Sequence, residues 1–259
     1  FEALNEPIIL DGPYSNSAFD IVCKNDKVYM IIGGKDLLNG KRFDKGGYIL
    51  TYDYDKWSFI DPKEAQKKLN LPRNPRDYTS IAVTTDDSND EIVYASSMGD
   101  GVIQYKNGTP VQSYNEKNAF KETAGGYGSG YCYIDGLAFD KNGNLWMTSS
   151  EVNHAVLVLD KAGAWHRLDI EQLRGVYTIN DILITSTNDK WIYVPRNTPK
   201  LVMIPNSESL DEVSSYEFTT LIDTDGKELT PSNYTCVAED KDGYIWVGTN
   251  RGAVYFTKP

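Results

Sequence analysis

A short hairpin motif recurs along this chain, and its spacing leaves few folds open. Residues 235–256 read TCVAEDKDGYIWVGTNRGAVYF, three runs of β-branched, aromatic and small residues separated by turns of Asp, Asn and Gly. Those turn residues accept the left-handed backbone of tight hairpins, and the runs between them suit strands. Residues 137–149, LAFDKNGNLWMTS, repeat the pattern, and weaker copies surround them. A meander of three or four strands cannot bury both faces alone, so a chain of such units must stack them.

The aromatic residue of each second strand serves as a ruler. It falls at Tyr29, Tyr94, Trp146, Trp191 and Trp246, intervals close to the roughly 40–50 residues of a four-stranded propeller blade plus its loops. The expected fold is therefore all-β: a β-propeller of five recognisable four-stranded blades in a single domain spanning 1–259. The last repeat stops before any fourth strand, and Pro7–Leu10 is expected to supply it and close the ring, removing an exposed edge. The alternative is a segment of a six- or seven-bladed ring. Between the first two repeats, DPKEAQKKLN (61–70) reads as a short helical insertion, with Asp61 as N-cap and Pro62 in the first turn.

Composition narrows the partners. Lys and Arg number 26 against 37 Asp and Glu, a net charge of −11; a nucleic-acid backbone or an anionic bilayer selects clustered cations, so neither is expected as the main partner. Nothing approaches the roughly 20 apolar residues of a membrane span, and no membrane insertion of this segment is expected. Cys23, Cys132 and Cys236 have no metal-ligand spacing. His154 and His166 have no partner at helical or strand spacing and read as exposed surface. The chain starts at Phe1 with no leader-like run, which is read as a segment excised from a longer, exported protein.

The residues that open each inner strand share a pattern. GPYSNS, PRDYTS, YCYIDG, VYTIND and PSNYTC each place a Tyr beside Asn or Asp: Tyr14 with Asn16, Tyr78 with Asp77, Tyr133 with Asp135, Tyr177 with Asn180, and Tyr234 with Asn233. Arg76 and Arg174 stand close by. Tyr offers an apolar face and a hydroxyl, Asn and Asp offer hydrogen-bonding partners for sugar hydroxyls, and Arg offers a fork for phosphate or carboxylate. These twelve are the candidate ligand-binding residues. The bland account is that Asn and Asp open strands by bonding their own backbone while Tyr packs under loops. Asp77 and Asn233 lie four residues before Ile81 and Val237, whereas Asp135 and Asn180 lie two before Leu137 and Ile182. The two sets sit at different levels, against a single planar metal ring. The glycine-rich loop 124–133 lacks the ending of a phosphate loop and reads as a connection. Trp146, Trp191 and Trp246, in mid-strand, read as packing between blades.

The runs CVAEDKDGYIWVGTNRGAVYF and DGLAFDKNGNLWMTSS resemble the propeller repeat of two-component regulators of Bacteroidetes, through Val237, Asp240, Gly243, Trp246, Thr249 and Gly252 and through Leu137, Asp140, Gly143, Trp146 and Thr148. Three further segments, DGPYSNSAFDIVCKNDKVYMIIGG, VYASSMGDGVIQYKNG and GLAFDKNGNLWMTSS, are similar in phrasing and order to the PorZ family of the type IX secretion system, over roughly 11–168. That resemblance implies an exported, non-enzymatic propeller of the periplasm or cell surface, binding a glycan, lipopolysaccharide or protein partner at the face where inner strands begin. Two other functions compete. One is the periplasmic sensor of a hybrid two-component histidine kinase that recognises glycans. The other is a calcium-dependent propeller hydrolase or lyase. No cofactor is expected under the first two; calcium belongs to the third.

Overall fold

In the computed structural model, residues 12–37, 39–120 and 131–257 are described. Among these residues five antiparallel meanders follow one another. The first comprises β1 (Ala18–Lys24), β2 (Lys27–Ile32), β3 (Ile49–Tyr52) and β4 (Trp57–Ile60), after which comes α1 (Pro62–Leu69). The second is β5 (Tyr78–Thr85), β6 (Glu91–Gly99), β7 (Gly101–Lys106) and β8 (Thr109–Tyr114). The third is β9 (Cys132–Phe139), β10 (Leu145–Ser149), β11 (Val156–Leu159) and β12 (Trp165–Leu168), joined to the second where Met98 and Gly99 pair with Tyr133 and Cys132. The fourth is β13 (Ile182–Ile184), β14 (Lys190–Val194), β15 (Lys200–Ile204) and β16 (Tyr216–Phe218). A small hairpin, β17 (Leu221–Ile222) with β18 (Glu228–Leu229), precedes a three-stranded fifth meander of β19 (Tyr234–Glu239), β20 (Ile245–Thr249) and β21 (Gly252–Phe256). The proposed closing strand, Pro7–Leu10, lies outside the described residues.

The turn chemistry explains why these residues form hairpins. Asp140 accepts from the backbone N–H groups of Asn142 and Asn144, both at 2.9 Å, and Gly143 takes the left-handed conformation. Asp86, Asp223 and Asp240 each accept the same two backbone bonds in their own turns. Asp140 and Asp240 also reach the strand beyond, accepting from the indoles of Trp146 at 2.9 Å and Trp246 at 2.7 Å. One carboxylate thus fixes both the turn and the rotamer of the central aromatic. Helix α1 forms as its sequence requires: Asp61 accepts from Lys63 N–H at 2.9 Å, and Asn70 closes the C-terminus with a left-handed backbone.

Sheets stack face to face, and apolar cores lie between neighbours. Tyr29, Ile31 and Ile49 meet Ile81, Val93 and Ile103; Tyr94 and Val102 meet Leu137, Met147 and Leu157; Trp146, Val156 and Val158 meet Ile182, Ile192 and Val202; Trp191 and Leu201 meet Ile245 and Val247. Inner strands also bond sideways. Asp20 accepts from Ile81 N–H at 3.2 Å, and the Ser80 hydroxyl accepts from Leu137 N–H at 3.2 Å. The corresponding position in β9 is Gly136, where a Cβ would come within 2.8 Å of Asp181 Oδ1 and Ile182 N; Asp181 fills that space and accepts from its own neighbour, Ile182 N–H, at 2.9 Å. Trp146 and Trp191 are sealed between sheets at 1% exposure each, but Trp246 is 40% exposed. For Trp246 the reading as packing between blades is corrected: among the described residues no sheet covers its face.

Candidate functional site

The loop between β2 and β3 shapes the face where inner strands begin. Running from Gly33 to Gly47, it leaves its own sheet and fastens onto three others. Asp44 and Lys45 donate their backbone N–H groups to the carboxylate of Asp77, at the start of β5, at 3.1 and 3.0 Å. Lys35 pairs with Asp135 on β9 and donates to the carbonyl of Ile179, at 3.2 Å, ahead of β13. Gly40 lies so close to Arg196 and Thr178 that a Cβ would stand 2.5 Å from an Arg196 nitrogen and 3.4 Å from a Thr178 methyl. Two glycines permit this path. Gly33, at φ +137°, passes where a Cβ would come within 2.3 Å of Tyr78 N, and Gly34, at φ +90°, lies against the Phe19 ring.

Beside this strap, the second sheet's leading loops build an aromatic and cationic cluster. Arg42 and Arg73 both lie over the ring of Tyr131, at 5.9 and 5.3 Å from its centroid. Arg42 is held by Asp44 at 2.6 Å and by buried Asp77 at 3.7 Å, and Arg73 by Asp100 at 2.7 Å. Arg76 is exposed, with its side chain 4.0 Å from Asp44 and its backbone N–H bonded to Asp100 at 3.1 Å. Tyr131 meets Tyr133 edge-on at 6.2 Å. Arg73, Asp100, Ser113, Asn115, Lys117 and Tyr131 line a groove of about 260 Å³. Guanidiniums over a phenol, with the carboxylates of Asp100 and Glu116 and the amide of Asn115 at the rim, suit a polyhydroxylated ligand.

The twelve residues named from sequence divide clearly. Arg76, Asp77 and Tyr133 come together with the cluster. Tyr78 lies buried beneath it, its hydroxyl 2.6 Å from that of Tyr105. Asp135 is committed to Lys35 and to Ser150, which donates to it at 2.6 Å. Asn180 donates to Tyr193 at 2.7 Å, and Tyr234 is buried with a hydroxyl that finds no hydrogen-bond partner among the described residues. Asn233 uses its carbonyl to accept from Asn250 N–H at 3.2 Å. The remaining four stand apart. Tyr14 stacks on Tyr48 and Phe59 at the outer edge of the first sheet, at 4.9 and 4.8 Å. Asn16 and Tyr177 are exposed, and Arg174 forks onto Asp169 at 2.6 and 2.5 Å. Sequence reasoning missed Lys35, Arg42, Arg73, Asp100 and Asp181. The first two sit in a loop that reads as a spacer, and only their partners 35 to 144 residues away give them meaning.

Near the strap, carboxylates from three sheets share one space. Asp181 contacts solvent yet is surrounded by protein, as a group facing a narrow channel is. Desolvation first, then the charge of Asp20, pushes its pKa up to about 7, with Lys35 opposing and Asp135 adding to the rise. Desolvation also raises Asp20. Among the described residues, no three His, Cys, Asp or Glu side chains converge as metal ligands. His166 is corrected from partnerless surface: it bonds Asp160 at 3.0 Å and faces Asp211 at 3.4 Å, and these carboxylates raise its pKa. A larger groove of about 540 Å³ lies among the turns of the second and third sheets. Of its three lysines, Lys106 is committed to Asp86 and Asp90 at 2.7 Å each and Lys141 to the Ser186 carbonyl, while Lys161 is exposed, 3.8 Å from Asp87.

Residues 228–251 match the family described as "Two component regulator propeller". Among solved structures, PorZ, a surface component of the type IX secretion system of Porphyromonas gingivalis, superposes at a TM-score of 0.81 over 96% of this chain and 34% of its own, with 19% identity. The extracellular domain of the hybrid two-component system BT3049 from B. thetaiotaomicron gives 0.54, with 17% identity over 94% of this chain and 33% of its own. A 6-phosphogluconolactonase from Bacteroides uniformis gives 0.51, with 12% identity over 89% of this chain and 64% of its own. The chain thus spans about a third of the length of the first two. No curated protein sequence matches it. No helix among the described residues is long and apolar enough to cross a membrane. With stacked meanders, an Asp-to-indole bond in both the third and the fifth sheet, and a propeller-repeat match over its last hairpins, the chain has the fold of the two-component-regulator propellers.

Proposed function

We propose that this chain is an exported binding module with a PorZ-like role in type IX secretion and surface attachment, holding an anionic glycan such as a lipopolysaccharide sugar at the face where its inner strands begin. The observation that carries the reading is Tyr131 lying under both Arg42 and Arg73 at the rim of an open groove. A binding role rather than a catalytic one is supported by how the central polar groups are used: Asp135 is tied to Lys35 and Ser150, and Asp77 to two backbone N–H groups. The repeat match at 228–251 favours a second reading, the sensor domain of a hybrid histidine kinase, which would use the same face.

Titration of the protein against immobilised lipopolysaccharides and a glycan array tests both. Arg73→Ala and Tyr131→Ala are each expected to weaken binding about tenfold, in line with about 0.5–1 kcal/mol for a partly exposed cation–π contact and about 1 kcal/mol for the hydrogen bond lost with it. Arg174→Ala, at an exposed pair away from the groove, should bind as the parent does. Unchanged binding in the first two variants, with intact melting curves, refutes the site. A preference for neutral glycan fragments over lipopolysaccharide selects the sensor reading.

A further inference from the structure

One half-buried arginine on the face where inner strands begin has no counter-charge. Arg42, Arg73, Arg76 and Arg174 each have a carboxylate within 4.0 Å. Arg196, in the turn after β14, makes no ion pair or hydrogen bond among the described residues, and its Nε is buried. The other two arginines without an acid differ from it: Arg167 donates to the Ala119 carbonyl, and Arg251 is exposed. Acids outnumber basic residues by 37 to 26, so Arg196 is not unpaired for want of carboxylates in the chain. Holding a guanidinium partly out of water without a partner is unfavourable, and an incoming anion relieves that cost.

A second polar group is left over at the same place. The hydroxyl of Thr178, ahead of β13, is buried without a partner among the described residues, and the whole residue is 7% exposed. Both side chains meet one residue of the strap: a Cβ on Gly40 would stand 2.5 Å from an Arg196 nitrogen and 3.4 Å from the Thr178 methyl. Gly40 takes a left-handed φ of +72°, and its own N–H is used by the Asp36 carbonyl at 2.6 Å, which leaves Thr178 no backbone donor there. The corner is pinned at the next residue, where Lys35 donates to the Ile179 carbonyl at 3.2 Å. Two hydrogen-bonding side chains, one of them cationic, therefore flank a fixed point of the strap with nothing bound to either.

We infer that Arg196 and the Thr178 hydroxyl form an anion subsite beside the strap, taking one oxyanion group of a ligand, a carboxylate or a phosphate monoester. The guanidinium presents a planar fork to two oxygens, and the hydroxyl donates to the same group. The subsite rests on the glycan reading only for the remainder of the ligand. Gly40 and Arg42 are two residues apart, about 7 Å of chain at most, so the Arg42 contact with Tyr131 and the Arg196 corner lie on one short stretch of the strap. Arg42 and Arg73 are each matched by a carboxylate, whereas Arg196 supplies uncompensated positive charge and with it a preference for an acidic sugar.

Chemical-shift titration with D-galacturonate, D-galactose 6-phosphate and D-galactose tests the subsite. The parent should bind at least one acidic sugar about tenfold or more tightly than galactose, and Arg196→Gln should erase that preference. Galacturonate preferred alone assigns a carboxylate, and galactose 6-phosphate alone a phosphate ester. Thr178→Val should weaken the acidic sugar about threefold or more while raising the melting temperature of the unliganded protein, because it deletes a buried hydroxyl that has no partner. Equal binding of all three sugars, no binding of either acidic sugar, or a preference that survives in folded Arg196→Gln overturns the inference. So does a Thr178→Val protein that melts lower and binds as the parent does. If Tyr131→Ala changes none of the affinities while Arg196→Gln still erases the preference, the anion subsite stands and the site at Tyr131 fails.

Discussion

Removing the ammonium of Lys35 leaves the Asp135 carboxylate buried with Ser150 as its remaining side-chain partner, and both members of that pair are almost wholly out of water. Breaking one side of such a pair costs about 3–5 kcal/mol, whereas replacing both by apolar residues of similar volume is far milder. Lys35→Met should therefore lower unfolding free energy by about that amount in urea titration, and the double variant Lys35→Met/Asp135→Leu should recover most of it. Asp181 makes a different prediction. Its folded pKa, about 7, lies above the ordinary 3.8, so the folded state holds a proton that the unfolded state releases. Its contribution is fully present below about pH 4 and is lost as pH rises toward 7. Asp181→Asn should flatten that slope, a change readable as melting temperature against pH. If the slope persists unchanged, Asp181 is not its source, and Asp20, which faces the same space, is the next candidate.

At the scale of the element, the hairpins were legible because their chemistry is local. Asp140 and Asp240 reach their turn amides and their indoles within six residues, so D-K-x-G-x-Φ-W states turn, strand and aromatic together. Helix α1 was readable for the same reason. Trp246 was not, because periodicity says that a side chain leaves the sheet but not whether anything meets it there. Substitution separates the cases. Trp146→Ala and Trp191→Ala should each cost about 3–5 kcal/mol in denaturant titration. Trp246→Ala in the 259-residue chain should cost well under half of that, since its indole is already partly in water. Equal losses at all three positions would mean that the fifth sheet's face is covered in solution.

For the whole molecule, the sheet order could be read from sequence, but the candidate binding face could not. The tyrosines and acids that open each inner strand met the arginine–tyrosine cluster at Arg76, Asp77 and Tyr133, but lie inside the stack at Tyr78, Asn180 and Tyr234, where hydrogen bonds use up the first two and burial the third. What distinguishes the exposed cluster is the strap from Gly33 to Gly47, and a loop's destination is a long-range fact that no local pattern carries. Lys35 meets Asp135 and Ile179 across 100 and 144 residues of chain. Closing loops of that length is entropically unfavourable until the intervening sheets are in place. The strap can therefore lock only after the first four meanders have assembled, and Arg42, carried on it, reaches Tyr131 at that same late step. If this face holds the proposed glycan, its capture would then act as a proofreading signal: a partly folded chain would lack the grip, and only a finished molecule would be competent to bind.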